Sequence, residues 1–291
     1  MRWRIWTAFA AVCVWAASGW LITPGSDALP RLERQGLGFV VIAGVALASG
    51  GWRNRRARWR LRSAVATGSL LFFAVPAVLL EHAREYASET SVAVVFALAP
   101  VVVVLVWGAV MQESGGMQWL VPALMGLASL LLLLPFEMPV STRGWQAVAE
   151  VVAAMLLVAV AGAWLFGLMR KMSTTEALTI VGATNAVVLF VCCGALGSLD
   201  WRWRDVVGGV SWESVVAVIV AALTVWLLQT MDPIRFSARF LVIPLLTIFE
   251  GAALLRPEIT GRMAVGSVLL AGGAIWMLGA KQVEEKVQTL R

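Results

Sequence analysis

The chain has 291 residues, of which 60% are hydrophobic and 14% charged, and its formal net charge is +6. Soluble proteins carry about 25% charged residues, and no polar segment here is long enough to fold as a separate soluble domain. The basic residues are scattered in short segments between apolar stretches, a distribution that argues against a nucleic-acid-binding protein.

Ten apolar stretches follow one another along the chain, each about long enough to cross a bilayer. A hydrocarbon core of about 30 Å requires roughly 20 helical residues, and in lipid only helices or closed barrels satisfy their backbone hydrogen bonds. Barrel strands alternate apolar and polar residues, whereas runs such as Val101–Val106 do not. The sequence therefore predicts an all-α polytopic membrane protein with ten transmembrane helices, at residues 5–22, 36–51, 63–82, 90–111, 117–135, 145–168, 176–197, 211–229, 238–255 and 260–279.

Lysine and arginine are concentrated in the segments that face the cytoplasm if the amino terminus is inside. Those segments hold 15 basic residues, against 8 on the other side. Because cytoplasmic loops are enriched in basic residues, both termini are predicted to be cytoplasmic. The basic run at 52–62 is interpreted as a topology anchor, although such runs also bind anionic lipid or nucleic acid. Arginine outnumbers lysine 20 to 3, which suggests a high-GC bacterial gene and the bacterial inner membrane.

The first apolar stretch resembles a signal peptide in one respect, because two arginines precede it. Its length, the bulky Trp15 and Trp20, and the nine stretches that follow favour a retained first helix instead. Two of the three cysteines, Cys192 and Cys193, are adjacent, a spacing that fits neither a disulfide nor a metal motif. The sequence predicts no metal, no cofactor and no catalytic residue.

The two halves of the chain share a plan. An offset of 144 residues superposes Phe96 on Phe240 and Pro100 on Pro244, and an acid-containing turn follows each of these helices. Five spans per half is an odd number, so the second half is expected to sit inverted relative to the first. Inverted repeats are common in secondary transporters, whose binding site lies at the repeat interface. We therefore predict one five-helix repeat at 1–138 and a second at 139–291.

Several segments resemble the drug/metabolite transporter superfamily, specifically its EamA-type ten-helix members. These are VWAASGWLI (14–22), LLEHAREYASETSVAVVFALAPVVVVL (79–105), AGAWLFGLMRK (161–171), RFSARFLVIPLLTIFEGAALLRPEITGRMAVGSVLLAGGAIWML (235–278) and the turn at Glu113. Trp15-Ala16 stands where the family has Trp-Gly, and Glu258 matches the family's acid after the ninth helix. The resemblance implies two inverted repeats around a cavity between helices one, three, four, six, eight and nine.

Ionisable residues inside a membrane are functional candidates by default. Glu250 is predicted to be a proton-coupling or cation-binding site, or else a structural carboxylate. Glu150 lies near a helix amino terminus, where the helix dipole also favours an acid. His82 is either a boundary residue or a proton relay. If Glu81 and these three residues converge, they form an acidic vestibule suited to cationic or zwitterionic solutes.

Aromatic and polar side chains within the spans are candidates for the walls of a solute cavity, because solute pockets combine such groups. Asn185 either lines the cavity or makes interhelical hydrogen bonds, the commoner use of an intramembrane amide. The other candidates are Trp15, Ser18, Trp164, Trp226 and Gln229.

The expected function is secondary transport of a small organic solute (an amino acid, metabolite or drug-like compound) by alternating access, with proton-coupled export. No P-loop is present, so direct use of ATP is not expected. The expected partners are the solute and membrane lipid, not nucleic acid, and a homodimer is compatible with the sequence. The alternatives are a non-transporting sensor or scaffold and an intramembrane enzyme, although one histidine and no paired catalytic groups make it a poor enzyme.

Overall fold

The computed structural model describes residues 2–20, 30–50, 59–111, 118–134, 139–195, 212–256 and 260–279, and within these ranges the chain is helical and contains no strand. Glu113, Glu258, the arginines from Arg53 to Arg58 and the carboxyl terminus lie outside the described residues. We number the helices α1 (Arg2–Ala17, followed by a 3-10 turn at Ser18–Trp20), α2 (Arg31–Ala48), α3 (Trp59–Ala83), α4 (Glu89–Phe96 and Ala99–Met111), α5 (Leu120–Leu133), α6 (Thr142–Met169), α7 (Thr174–Ala195), α8 (Trp212–Thr230), α9 (Pro233–Ser237 and Arg239–Leu255) and α10 (Gly261–Leu278).

Six helical stretches among the described residues are long and apolar enough to cross a bilayer, namely α3, α4, α6, α7, α9 and α10. Apolar parts of α1, α5 and α8 are shorter. The helical membrane class predicted from the sequence agrees with these lengths, while the number of crossings stays a prediction. The boundaries differ most at two helices: α2 begins at Arg31 rather than at residue 36, and α9 begins at Pro233 rather than at residue 238.

Large apolar side chains cover the outside of the bundle, as expected where lipid is the solvent. Soluble proteins rarely expose large contiguous apolar patches. Here apolar residues are exposed on one face after another: Val41 and Val45 on α2, Leu131 on α5, Val187 and Val191 on α7, and Val268 and Ile275 on α10. The interior of the bundle therefore has to supply specificity by packing and hydrogen bonds, because lipid is as apolar as these side chains.

Local signals in the sequence set the helix boundaries. Five helices begin at a side chain that accepts a hydrogen bond from a backbone N–H group two or three residues later, as capping residues do. These residues are Ser88, Ser141, Ser173, Asp232 and Thr260. The helix α3 is interrupted by a π-helical turn at Leu70–Ala74. Such turns are rare and are common at functional sites.

Two helix pairs cross with their backbones almost in contact, and we call these crossings the glycine seams. In the first seam, a Cβ atom on Gly182 of α7 would lie 2.7 Å from the backbone nitrogen of Ala43 on α2. In the second, a Cβ atom on Gly273 of α10 would lie 2.8 Å from the carbonyl oxygen of Pro122 on α5. Both positions therefore require glycine, because any larger residue would force the backbones apart.

The remaining contacts join the helices into one bundle. Besides the seams, α1 packs against α8 and α9, and α6 packs against α3 and α4. The largest apolar cluster is formed by residues of α1, α2, α3, α6, α7 and α8 together with Phe236 of α9, and a second cluster by residues of α4, α5, α9 and α10. Other side chains of α3 and α9 line the cavity described next.

Candidate solute cavity

A cavity of about 430 Å3 lies between α2, α3, α4, α6, α8 and α9. Its size is that of a pocket for a small organic molecule, since such pockets usually measure 300–1,000 Å3. Its walls are mainly aromatic and aliphatic, with a few charged and polar groups. The lining residues are Arg31, Leu32, Gln35, Phe72, Phe73, Pro76, Ala77, Leu80, Glu81, Arg84, Phe96, Val158, Thr224, Arg239 and Phe240.

The deep end of the cavity is marked by a buried arginine. Arg239 is only 8% exposed, although it lies in the long apolar helix α9. Its guanidinium carbon lies 3.9 Å from the ring centroid of Phe236, 4.6 Å from that of Phe240 and 5.3 Å from that of Phe72. Cations are attracted to aromatic ring faces at these distances. Within the described part of the chain, Arg239 makes no hydrogen bond or ion pair, and the three rings stabilise its guanidinium group there.

The other end of the cavity is formed by side chains at the start of α2 and the end of α3. Arg31 is exposed and Gln35 half-buried on α2, and the exposed Arg84 donates a hydrogen bond to Glu81, Nη1 to Oε2, at 3.4 Å. Among the described lining residues, three are arginines and one is a glutamate. The described part of the lining is therefore positively charged, whereas the acidic residues considered from the sequence favoured a vestibule for cations.

The two phenylalanines that the sequence offset of 144 residues superposes meet in the wall of the cavity. The ring centroids of Phe96 on α4 and Phe240 on α9 lie 5.6 Å apart, and the ring planes are tilted by 42°. Two rings at this distance attract each other beyond the apolar area they bury. The contact joins α4 to α9 directly beside Arg239.

Glu250 lies in α9 but does not line the cavity. Its Oε1 atom accepts a hydrogen bond of 2.7 Å from the hydroxyl group of Ser18, and Thr247 donates to the carbonyl oxygen of Ala17 at 3.4 Å. Ser18, predicted to line the cavity, is thus instead the partner of Glu250. These two bonds hold the end of α1 against α9.

His82 and Glu150 form an ion pair at the surface, with 2.8 Å between Nδ1 and Oε2. The side chain of His82 is 74% exposed and that of Glu150 is 25% exposed. The pair joins the end of α3 to the start of α6 beside the mouth of the cavity, but neither residue lines it. Of the four acidic or histidine residues considered for a vestibule, only Glu81 does.

Asn185 is fully buried in α7 and holds the π-helical turn of α3 in place. Its Oδ1 atom accepts a hydrogen bond from the backbone N–H of Ala74 at 3.1 Å. Its Nδ2 atom donates to the hydroxyl oxygen of Ser69 at 3.2 Å and to the carbonyl oxygen of Val181 at 2.8 Å. Of the two roles considered from the sequence, interhelical hydrogen bonding is the one that this geometry displays.

Gln229 joins helices at the end of the bundle opposite the mouth. Its Nε2 atom donates to the carbonyl oxygens of Met169 and Met172, at 2.9 and 2.7 Å, and its Oε1 atom accepts from Thr174 at 2.7 Å. A second contact at this end is the half-buried ion pair of Arg62 with Glu176, at 2.8 Å. Both contacts close the bundle below the cavity.

The three tryptophans predicted to line the cavity do not contribute to its wall. Trp164 of α6 is 44% exposed on the outside of the bundle. Trp15 and Trp226 are half-buried, and Trp226 packs against the largest apolar cluster. Phenylalanines of α3, α4 and α9 supply the aromatic wall instead.

Sequence reasoning missed two buried charges, Arg239 and Glu33, which is 1% exposed in α2. Arg239 was counted among the 15 basic residues of the cytoplasmic segments. A signal was nevertheless present, since the predicted span 238–255 already included Arg239. Glu33 lies before the predicted span 36–51, and only the longer observed helix makes it part of the bundle.

No family model and no curated protein matches the chain. Among solved structures, 27 chains match. One of them, described only as "Crystal structure of protein", superposes with a TM-score of 0.69 over 93% of this chain and 96% of its own, at 18% sequence identity. This likeness shows that the fold is shared.

Proposed function

We propose that the protein is a secondary transporter that moves a small organic solute across the bacterial inner membrane by alternating access. The observation that carries this proposal is the cavity of about 430 Å3, which has an exposed mouth and a buried charged floor. A buried charge is costly in a membrane protein and usually marks a solute or ion pathway. A sensor or scaffold has no need of such a cavity. A solid core without a cavity would favour a sensor or scaffold over a transporter.

The packing of the helices supports two inverted five-helix repeats, as in the drug/metabolite transporter superfamily that the sequence resembles. An exchange of the two halves replaces α1 by α6, α8 by α3 and α9 by α4. The contacts of α1 with α8 and α9 then correspond to those of α6 with α3 and α4, which are also present. The seam pairs α2–α7 and α5–α10 map onto themselves. A twofold relation of this kind also explains why Phe96 and Phe240, the equivalent residues of the two halves, touch each other.

The opening of the cavity on one side of the bundle supports a mechanism of alternating access. In the proposed orientation, with both termini in the cytoplasm, Arg31, Glu81 and Arg84 lie on the outer side. The contacts of Gln229 and the Arg62–Glu176 ion pair lie on the inner side. The cavity is thus accessible from outside in this conformation. Rocking of one half against the other would break the Arg62–Glu176 ion pair, whose two residues belong to different halves, and close the mouth.

Coupling to protons is assigned in this proposal to Glu250. An ionised carboxylate only accepts hydrogen bonds, whereas a protonated carboxyl group also donates one. Protonation of Glu250 therefore changes its bond to Ser18, which holds α1 to α9. These helices belong to different halves, so the change would bias the equilibrium between the two arrangements.

The test is solute flux in proteoliposomes with and without a pH gradient, for phenylacetate, phenylalanine and phenethylamine, after subtraction of flux into protein-free vesicles. We expect wild-type protein to accelerate at least one of them in a gradient-dependent manner. Glu250→Gln is expected to retain solute exchange and to lose the response to the gradient. Glu85→Gln, a change in an exposed turn, is the matched control and should behave as wild type.

Two outcomes would reject parts of the proposal. No protein-dependent flux of any of the three solutes contradicts transport. A gradient response of Glu250→Gln equal to that of wild type removes Glu250 from the coupling mechanism and leaves transport standing.

A further inference from the structure

We infer that the cavity binds an organic monoanion, with a carboxylate group on Arg239 and an apolar body against the phenylalanine wall. This inference rests on the proposed function for its biological meaning, because it names the class of solute. The binding site itself is argued from the residues alone.

Arg239 has no carboxylate partner among the described residues. A guanidinium group removed from water is costly unless it is paired. The guanidinium carbon lies over the rings of three phenylalanines, but a ring face accepts no directed hydrogen bond from the edge of the guanidinium. No carboxylate in the described residues pairs with it. The donors at its edge are therefore available to a ligand in the cavity that Arg239 lines.

The shape of the guanidinium group selects the charged group of the ligand. Guanidinium presents its donors in a planar fork, which matches a carboxylate with two parallel hydrogen bonds. The rings of Phe236 and Phe240, whose centroids lie 3.9 and 4.6 Å from the guanidinium carbon, restrict the movement of the fork before a ligand binds. A ligand then loses less free energy in ordering the site, because the arginine is already oriented.

The burial of Arg239 limits the charge of the ligand. Among the described lining residues, Arg239 is the one buried cation, since Arg31 and Arg84 are exposed at the mouth. One carboxylate neutralises it, whereas the second charge of a phosphate monoester would remain buried without a partner, at considerable cost. At the mouth, two arginines and one glutamate leave a positive excess, which attracts anions towards the cavity.

The wall beside Arg239 determines which kind of ligand body fits. This wall is formed by the rings of Phe72, Phe73, Phe96 and Phe240 and by Val158. These groups favour an aromatic or aliphatic body and offer it no hydrogen bonds. A sugar or another highly hydroxylated anion would lose its hydration there without compensation.

The test measures equilibrium binding of phenylacetate, phenylacetamide and phenethylamine to the full-length protein in detergent by isothermal titration calorimetry. The three probes have similar size and differ in charge. We expect phenylacetate to bind at least tenfold more tightly than the other two. Arg239→Gln should weaken phenylacetate binding at least tenfold and abolish the preference, and Arg239→Lys should retain part of it, because the charge remains while the fork is lost.

Arg170→Gln is the matched control, since Arg170 also lies over a phenylalanine ring, 5.2 Å from the centroid of Phe166, but is exposed and outside the cavity. Its affinity should equal that of wild type. Gel filtration and circular dichroism check each variant. If Arg239→Gln fails to fold, the probe preference of wild type and the response of Arg239→Lys decide the question.

Equal binding of phenylacetate and phenylacetamide by wild type would overturn the inference. So would tighter binding of phenethylamine, or no binding of any probe in the millimolar range. Because the measurement needs no membrane, binding without flux would reject transport and leave the anion site standing. Flux of phenethylamine without phenylacetate binding would reject the anion site and leave transport standing.

Discussion

The glycine seams and the phenylalanine-lined cavity fill the space between helices in opposite ways. At the seams, Gly182 and Gly273 bring helix backbones so close that an added Cβ atom would lie less than 3 Å from main-chain atoms of the neighbouring helix. In the cavity, large rings on α3, α4 and α9 keep the helices apart and leave about 430 Å3 between them. The seams leave no room for adjustment, whereas rings around a cavity can rotate or separate.

This difference indicates where the bundle can move. Close backbone contacts resist sliding, because protein interiors are packed like crystals and respond to small changes in volume. A bundle with two rigid seams and a loosely filled centre can rock only by rearranging the centre. We therefore expect substitutions at the seams to alter stability and substitutions in the cavity to alter binding and flux.

The largest expected effect on stability is at the seams. Gly273→Ala places a methyl group 2.8 Å from the carbonyl oxygen of Pro122, and the two helices must separate. Overpacking of this kind usually costs 1–3 kcal/mol, and we expect a loss of about that size in the free energy of unfolding, measured by SDS titration. Gly272→Ala is the matched control, because its added methyl group would meet only the Met125 Cε atom, at 3.9 Å.

The seam between α2 and α7 offers the same comparison. Gly182→Ala should be as damaging as Gly273→Ala, whereas Gly44→Ala, with no atom within 4 Å of the added methyl group, should not. Equal stability of Gly273→Ala and Gly272→Ala would show that the seam is not as close as described.

An intermediate effect is expected at Asn185, which connects a seam helix to a cavity helix. Asn185→Leu removes the hydrogen bonds to Ala74 and Ser69 and leaves a buried backbone N–H group without its partner. Leaving such a group unsatisfied costs about 1–3 kcal/mol, although hydrogen bonds between membrane helices average about 0.6 kcal/mol. We expect a loss of about 1–2 kcal/mol in the free energy of unfolding.

Thr184→Val is the control for Asn185→Leu, because this neighbouring side chain on α7 makes no hydrogen bond within the described residues. The π-helical turn at Leu70–Ala74 gives a further readout. Backbone amide exchange at Ala74 should accelerate in Asn185→Leu and not in Thr184→Val. Unchanged amide exchange at Ala74 in Asn185→Leu would show that Asn185 does not maintain the geometry of the turn.

The seams and the cavity were not equally predictable from the sequence. Continuous apolar stretches predict helices well, since backbone groups in lipid must bond within the helix, and the described residues in these stretches are largely helical. The sequence offset equated Phe96 with Phe240 but did not predict their contact, because an offset in sequence carries no information about which side of a helix faces its partner. The seam glycines were only two among 26 glycines.

The cavity residues were harder to identify because polar residues and tryptophans were used as the guide. Asn185, Gln229 and Ser18 are polar residues within spans, and each is occupied by bonds to another helix. In a membrane bundle, polar side chains commonly join helices. The wall is formed instead by phenylalanines, which sequence alone does not distinguish from lipid-facing ones. Arg239 was missed because it was counted among the basic residues of a cytoplasmic segment.

The smallest expected effect on stability, with a distinct effect on binding, is at Phe96 in the cavity wall. Phe96→Leu keeps an apolar side chain against Phe240, and neighbouring space is already empty, so we expect a loss below about 1.5 kcal/mol in the free energy of unfolding. The enlarged cavity should nevertheless bind phenylacetate several-fold more weakly, because the ligand loses a ring contact. Phe249→Leu is the control, since Phe249 is 57% exposed on the outside of α9. A loss of stability as large as that of Gly273→Ala, with phenylacetate affinity unchanged, would mean that Phe96 is part of the packed core, and the contrast between seam and cavity would not hold.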